Sequence, residues 1–220
     1  MSDWKKCKMG DIASSNKKSI DKNYCFSNIQ YLDTGSITRG KLEGYQEFNI
    51  CDAPSRAKRL VQHDDIIYSN VRPIQRHYGL IKNPPENLVV STGFSVITPN
   101  KQKIVSEFLY YYLTSDFIVE ELDIIAEAST SAYPSLKPSD IDNLEILLPP
   151  ILEQEAIAEV LSSLDDKISL LHRQNETLEA LAETLFREWF INQADAGWEE
   201  KLLGDVVKIR YGKNLPTSKL

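Results

Sequence analysis

Two arginines four residues apart, Arg72 and Arg76, flank a proline in the segment YSNVRPIQRHYG, residues 68–79. An arginine can donate two parallel hydrogen bonds to guanine O6 and N7, and an asparagine or glutamine pairs in a similar way with adenine. The proline stiffens the loop that would present these side chains. The candidates for base readout are Asn70, Arg72, Gln75 and Arg76. The alternative is a solvated loop that carries two surface arginines.

Further basic side chains suit contacts with phosphate, which position a protein on DNA without reading its sequence. They lie in the pair KK at residues 17–18, in SITRGK, in SRAKRL and in STSAYPSLK. For STSAYPSLK, a structural loop is the competing interpretation. The candidate phosphate contacts are Lys17, Lys18, Arg39, Lys41, Arg56, Lys58, Arg59, Tyr133 and Lys137.

No residue pattern indicates catalysis. The segment NPPE at residues 83–86 resembles the Asn-Pro-Pro-aromatic motif of amino-methyltransferases, but Glu86 stands where an aromatic ring would stack on an extruded base. A glycine-rich cofactor loop does not accompany it, and His63, His77 and His172 lack metal-ligand spacing. We find no grouping of carboxylates and lysine suited to metal-assisted cleavage. The sequence therefore predicts a non-catalytic chain with no cofactor and no metal.

The net charge of −7 conceals an uneven distribution. Residues 1–103 carry 16 Lys and Arg against 10 Asp and Glu, whereas residues 104–200 carry 4 against 21. Such asymmetry suggests nucleic-acid contact by one part of a chain only. The overall acidity favours a different class, an interaction protein that binds no DNA.

The cysteine content and the lengths of the apolar runs indicate the cellular compartment of the protein. The three cysteines are widely spaced and suggest neither a disulfide framework nor a zinc site. No apolar run approaches the roughly 20 residues of a membrane span, and MSDWKKCKMGD does not open a signal peptide. We therefore expect a cytoplasmic protein without membrane contact.

Secondary structure is predicted from the hydrophobic periodicity. Between residues 20 and 100, short runs such as NIQYLD, YQEFNI, DIIYS, YGLI, LVV and FSVIT indicate strands. Residues 105–128 change to a helical period that indicates one or two helices, and LEILLP indicates a further strand. This order predicts an α+β fold whose first domain is a mixed α/β domain with a twisted sheet.

The segment after Pro149 and Pro150 has the most regular pattern. Apolar residues recur at alternating spacings of four and three for 33 residues, which is typical of a coiled-coil seam rather than of a helix packed on its own domain. Asn175 is the polar exception near its centre. The predicted coiled-coil interface comprises Ile157, Leu161, Leu164, Ile168, Leu171, Asn175, Leu178, Ala182, Leu185 and Trp189.

The run LPPILEQEAIAEVLSSLDDKISLLHRQNETLEALAETLFREWF resembles the conserved helical region of the specificity subunits of Type I restriction-modification enzymes. The lead-in AYPSLKPSDIDNLEILLPP is similar to that family's exit from its target recognition domain. The resemblance covers residues 132–191. It implies a subunit with two recognition domains, each followed by a helix, and an antiparallel pair of helices.

A repeated sequence segment fits that tandem organisation. The segment WEEKLLGDVV, residues 198–207, aligns without a gap with WKKCKMGDIA, residues 4–13, through shared Trp, Gly and Asp. By the resemblance, Trp198 begins a second recognition domain of which residues 198–220 are present. The sequence leaves open whether the chain is a piece of a longer subunit or a natural half-length subunit.

The resemblance thus implies a target recognition domain at residues 1–148, a long coiled-coil helix at 149–192, and a linker with the start of a second recognition domain at 193–220. Its implied partners are double-stranded DNA, modification subunits that carry the methylation chemistry, and a restriction subunit. Acidic residues on the outer helix face are candidates for docking those subunits, with a solvated face as the alternative. They include Glu159, Asp166, Glu176 and Glu183. The rival function is a coiled-coil protein that binds modification subunits without reading DNA.

The position of Asn175 predicts a homodimer. The seam from Ile157 to Trp189 has its midpoint at residue 173, so two antiparallel helices would bring their Asn175 side chains together near a two-fold axis. The recognition domains would then lie at opposite ends of a rod of about 50 Å. A parallel pair would also bring the asparagines together, but with the domains side by side.

Overall fold

The structure is a computed structural model of the chain. It describes residues 4–129, 134–194, 197–199, 201–208 and 210. The chain divides into two compact units, Met1–Asp166 and Lys167–Leu220. The boundary between them falls inside the long helix, because the first turns of that helix pack on the residues that precede it.

The described residues form twelve short strands. They are β1 (Lys5–Lys8), β2 (Ala13–Ser15), β3 (Asn28–Leu32), β4 (Ile37–Thr38), β5 (Lys41–Leu42), β6 (Gln46–Asn49), β7 (Ala57–Leu60), β8 (Ile66–Ser69), β9 (Tyr78–Leu80), β10 (Leu88–Ser91), β11 (Phe94–Pro99) and β12 (Glu145–Leu148). All seven predicted apolar runs contain a strand. Strands β1, β2, β4, β5 and β7 were not predicted. In β7, basic residues mask a short, partly exposed strand.

Two four-stranded sheets carry the fold of the first unit. One has the order β6-β3-β10-β7, in which β10 runs parallel to β3 and antiparallel to β7. The other has the order β2-β11-β8-β9 and is antiparallel throughout. Strand β1 pairs with β12, with Lys5 opposite Leu148, and β4 pairs with β5. Mixed strand directions together with helices confirm the α+β prediction.

The described residues form six α-helices. They are α1 (Met9–Ile12), α2 (Ser106–Thr114), α3 (Asp116–Glu127), α4 (Pro138–Asp142), α5 (Ile151–Arg187) and α6 (Leu203–Val206). Three of them, α1, α4 and α6, were not predicted from the sequence. Short 3-10 turns occupy Thr34–Ser36 and Pro73–Gln75, and a π-helical turn occupies Glu188–Asn192. The helical stretch predicted at residues 105–128 is two helices, since Ser115 between them has an extended conformation.

Strand β8 is buried on both faces. Ile66 and Tyr68 pack with α2 and α3, whereas Ile67 packs with residues of the other sheet such as Leu88. Successive side chains of a strand point to opposite faces, so an uninterrupted apolar run needs cover on both sides. The helices supply one cover and the second sheet supplies the other.

Among the described residues, the buried side chains of the long helix lie near its start. The helix begins at Ile151, after the two prolines, and its π-helical extension ends at Asn192. Gln154 and Ala158 are buried, and Ile157 packs against the core. Every side chain from Ser163 to Arg187 is exposed. In the part of the chain that the structure describes, no helix is long and apolar enough to cross a membrane.

The two aligned sequence segments, residues 4–13 and 198–207, contain the same short helix. Helix α6 occupies the four positions that align with helix α1, and each helix is preceded and followed by extended backbone. The apolar residues of α1 are buried, whereas Leu203 and Val206 of α6 are each 66% exposed. The aligned segment therefore encodes the same helical turn in both places.

Candidate DNA interface

The loop between β8 and β9 presents Arg72 at the surface on a fixed backbone. Arg72 is exposed and adopts a left-handed conformation with φ of 49°. Its N–H donates to the carbonyl of Pro134, and the next residue, Pro73, is buried. Such a conformation costs a non-glycine residue about 1–3 kcal/mol and persists where surrounding contacts enforce it. The loop is therefore formed before any ligand binds.

Two carboxylates of helix α3 hold this loop in place. Arg76 Nη1 lies 2.8 Å from Asp116 Oδ1, and the Ile74 N–H donates to Asp123 Oδ1 at 3.2 Å. Hydrogen bonds to Asp116 and then to Tyr78 raise the pKa of the Arg76 guanidinium. Of the two predicted guanine readers, Arg76 is thus engaged within the protein while Arg72 projects from it. No local sequence signal identified the two aspartates, since they lie about 40 to 50 residues further along the chain.

A hairpin brings two candidate phosphate contacts beside the loop. Strands β4 and β5 are joined by Arg39 and Gly40, with φ of 49° and 75°. The Arg39 N–H donates to the carbonyl of Arg76, and the Gly40 N–H donates to that of Tyr78. Glycine suits its position because positive φ carries no penalty without a Cβ. Arg39 and Lys41 are exposed, so they share one region of the surface with Arg72.

Asn70 has a structural role at the base of the loop. Its Oδ1 accepts a hydrogen bond from Ser95 Oγ at 2.7 Å, and its carbonyl accepts from the Leu136 N–H. This contact brings the exposed Lys137 close to the loop. Gln75, at the loop tip, is exposed. Tyr133 lies outside the described residues.

The remaining basic residues gather around β7. The Ile20 N–H donates to the Lys58 carbonyl, and the Leu60 N–H donates to the Lys18 carbonyl, so the segment with Lys17 and Lys18 runs along this strand. Arg59 is half-buried and donates to Ser19 Oγ, while Lys17, Lys18, Arg56 and Lys58 are exposed. The Arg56 carbonyl accepts a hydrogen bond from the Thr92 N–H. The carbonyl of the next residue, Gly93, accepts from the Asn70 N–H, so these bonds connect the region around β7 to the base of the loop between β8 and β9.

The other sequence candidates have ordinary structural settings. The Asn83 N–H of NPPE donates to His63 Nδ1 at 3.0 Å, and His77 Nδ1 lies 2.7 Å from the Ile37 carbonyl oxygen. Within the described ranges, no group of three or more His, Cys, Asp or Glu side chains could hold a metal ion.

The predicted seam is uncovered along most of the helix. Ile157 and Leu161 are partly buried, but Leu164, Ile168, Leu171, Leu178 and Trp189 are each 45–61% exposed, and Asn175, Ala182 and Leu185 are exposed too. A regular apolar stripe on a helix requires a partner surface. The acidic residues Glu159, Asp166, Glu176 and Glu183 are also exposed.

Comparisons with known proteins identify the family of this chain. Residues 1–180 match the model of the Type I restriction modification DNA specificity domain. The chain is 34% identical over 192 residues to the Type I restriction enzyme HindI specificity subunit of Haemophilus influenzae, covering 87% of this chain and 42% of that protein. It is 33% identical over 244 residues to the MjaIX specificity subunit of Methanocaldococcus jannaschii, covering 97% of this chain and 54% of that protein.

The fold comparison agrees with the sequence comparison. The crystal structure of the HsdS subunit from Thermoanaerobacter tengcongensis superimposes with a TM-score of 0.66 and 25% identity, covering 90% of this chain and 51% of that one. The chain spans about half the length of the relatives that it matches. It belongs to the family of specificity subunits of Type I restriction-modification enzymes.

Proposed function

We propose that this chain recognises DNA sequence for a Type I restriction-modification system, reading one half of a bipartite target. The observation that carries the proposal is the exposed Arg72 on a preformed loop, beside Arg39 and Lys41. A bidentate arginine contact needs a side chain that reaches the major groove from a defined backbone position. The surrounding lysines and arginines would hold the domain on the phosphates.

In this proposal the first recognition domain comprises residues 1–148, the conserved helix comprises residues 149–192, and residues 193–220 are a linker and the start of a second domain. The chain itself supplies recognition and no catalysis. Modification subunits would dock on it and carry the methylation chemistry, and a restriction subunit would join that complex. The exposed acidic residues of the helix, such as Glu159 and Glu176, are the proposed docking contacts.

We further propose that the chain forms a homodimer through the exposed seam of α5. An antiparallel pair would bury the apolar stripe and would place two identical recognition domains at opposite ends, so that the composite target would be palindromic. Small-angle scattering distinguishes this elongated arrangement from a parallel pair. Sedimentation as a monomer at tens of micromolar would contradict the homodimer.

A gel-shift assay with a pool of random duplexes tests DNA recognition. We expect retardation that weakens as the salt concentration rises, because phosphate contacts release counterions, and enrichment of one sequence class after selection. Modification subunits are included in a parallel set of lanes. Failure to retard DNA in both sets would favour the rival function, a coiled-coil protein that binds modification subunits without reading DNA.

A further inference from the structure

An apolar groove lies at the start of the long helix, within the first unit. It has a volume of about 490 Å³, and its lining includes Trp4, Phe117, Leu147, Ile157 and Leu161. Phe117 is 73% exposed and Leu147 is 55% exposed. A concave surface with exposed aromatic and aliphatic side chains is typical of a binding site for another protein surface.

Hydrogen bonds give the groove a defined shape. Trp4 Nε1 donates to Glu153 Oε2 at 3.0 Å, which fixes the indole beside the first turn of α5. Tyr111, on helix α2, donates from its hydroxyl to Asp165 Oδ2 at 2.9 Å. Both walls of the groove are thereby tied to the helix.

The groove is continuous with the seam. Ile157 and Leu161 are the first two seam residues, and both line the groove. A helix that lies along the exposed seam beyond Leu161 would therefore bring its end to the groove. This continuity limits the occupant to a segment that belongs to the partner helix.

The spacing of the seam identifies that segment. In an antiparallel pair that is symmetric about residue 173, Leu161 lies opposite Leu185 of the other copy, and Ile157 lies opposite Trp189 of the other copy. The residue that lies at the groove is thus Trp189, the one tryptophan on the seam. Trp189 is 57% exposed in the chain by itself.

The end of the helix carries more aromatic surface. The ring centroids of Phe186 and Phe190 are 5.0 Å apart, and those of Phe190 and Trp198 are 6.1 Å apart. We propose that Trp189 of a second copy of this chain inserts into the groove beside Trp4 and Phe117, so that one aromatic anchor closes each end of the dimer. This inference rests on the proposed homodimer and adds to it a contact outside the coiled coil.

The test is a double-mutant cycle on the full chain, measured by sedimentation equilibrium. Trp189→Ala and Phe117→Ala each remove one side of the contact, and both side chains are exposed, so the variants keep the core intact. We expect each variant to raise the dimer dissociation constant by at least about tenfold. The double variant should lose less than the product of the two effects, because contacting residues are coupled.

Two exposed apolar residues outside the contact serve as controls. Phe190→Ala changes an aromatic residue off the seam, and Ile124→Ala changes a residue of α3 that is 69% exposed and does not line the groove. Each should change the dissociation constant by less than about threefold, as expected for surface positions. A small effect of the controls excludes a general effect of lost apolar surface.

The outcomes separate this inference from the proposed function. A dimer whose dissociation constant is unchanged in both groove variants, or whose losses multiply in the double variant, overturns the insertion of Trp189 and leaves the seam dimer standing. A monomeric wild type overturns both the dimer and the insertion, while DNA retardation by that monomer would still support recognition. Loss of modification-subunit binding in Phe117→Ala without any change in dimerisation would assign the groove to that subunit and overturn the inference.

Discussion

Arg76 Nη1 lies 2.8 Å from Asp116 Oδ1, and this contact distinguishes it from Arg72, four residues earlier in the same loop. The Arg76 side chain is 19% exposed and Asp116 is 79% exposed, so the arginine is largely covered while its carboxylate partner faces solvent. The two arginines are equivalent in the sequence and different in the structure. Arg72 is exposed, whereas Arg76 holds the loop on helix α3.

Arg72→Ala should weaken binding to the cognate site by about 1–3 kcal/mol and relax the preference at one base pair, because a bidentate contact with one base is lost. Lys58→Ala is the matched comparison. It should weaken binding to all sequences alike and lower the salt slope by about one unit, as expected for one phosphate contact. Titration of cognate and scrambled duplexes at several salt concentrations measures both quantities. Equal, sequence-independent losses from the two variants would show that Arg72 is not a reading residue.

Asp116→Asn should strengthen DNA binding to all sequences and steepen the salt dependence by about one unit, because a negative charge leaves the loop and the Arg76 guanidinium is released. Protein stability should fall by less than about 1 kcal/mol, since Asp116 is largely exposed. Glu120→Gln, one turn further along α3, removes the same charge without touching Arg76 and serves as the control. If both variants bind DNA alike, the effect comes from net charge and not from the release of Arg76.

Gln154→Leu should lower the free energy of unfolding by about 3 kcal/mol. The buried amide accepts a hydrogen bond from the Val105 N–H at 2.9 Å and donates to the carbonyls of Pro149 and Lys103. A leucine of similar size leaves these backbone groups buried without their partner, which costs about 1–3 kcal/mol for each group.

Urea unfolding of the full chain measures the effect of this change. The control is Glu155→Leu, which alters the exposed neighbour and should shift stability by no more than about 0.5 kcal/mol. A similar small shift for Gln154→Leu would mean that this amide does not fasten the helix to the domain.

Asp64 should contribute a pH-dependent part of the stability. Burial raises its pKa, but hydrogen bonds from Lys101 and Lys82 outweigh burial, so the pKa lies below its usual value. A carboxyl whose pKa is lower in the folded state stabilises that state above its unfolded pKa and loses this contribution as the pH falls through the folded pKa. Asp64→Asn should therefore destabilise the protein by about 1 kcal/mol at pH 7, and this difference should shrink progressively as the pH falls below about 4.

Unfolding curves at a series of pH values check this expectation for Asp64. Glu86→Gln, at an exposed carboxyl, should follow the wild type throughout. A constant difference between Asp64→Asn and the wild type from pH 7 to pH 3 would contradict an ionic contribution and point to lost packing instead.

Asn175→Leu should tighten self-association and reduce its specificity. A single polar residue on a coiled-coil seam fixes register and partner number at a cost in stability, so an apolar replacement permits other alignments. Sedimentation velocity should show a mixture of assemblies, whereas Glu176→Leu, one residue off the seam, should leave the distribution unchanged. A single tighter dimer in Asn175→Leu would indicate that register is set elsewhere.

The sequence by itself determined those parts of the protein whose cause is local. Short β-branched and aromatic runs predicted strands β3, β6 and β8 to β12, since an apolar strand is recognisable from its own residues. The spacing of four and three predicted the long helix, and the signature around Glu153 and Gln154 indicated the family. Each of these patterns is complete within one segment of chain.

Only the tertiary structure decided what each functional side chain contacts. Arg76 meets Asp116, Arg39 joins the same loop, and Gln154 fastens the helix to Val105, through contacts between residues about 40 to 50 positions apart in the chain. The same folding leaves the seam exposed beyond Leu161 and forms the aromatic groove at its start. The physical reason is that a polar or charged side chain on a surface has many possible partners of similar energy, and the packing of distant elements selects one of them.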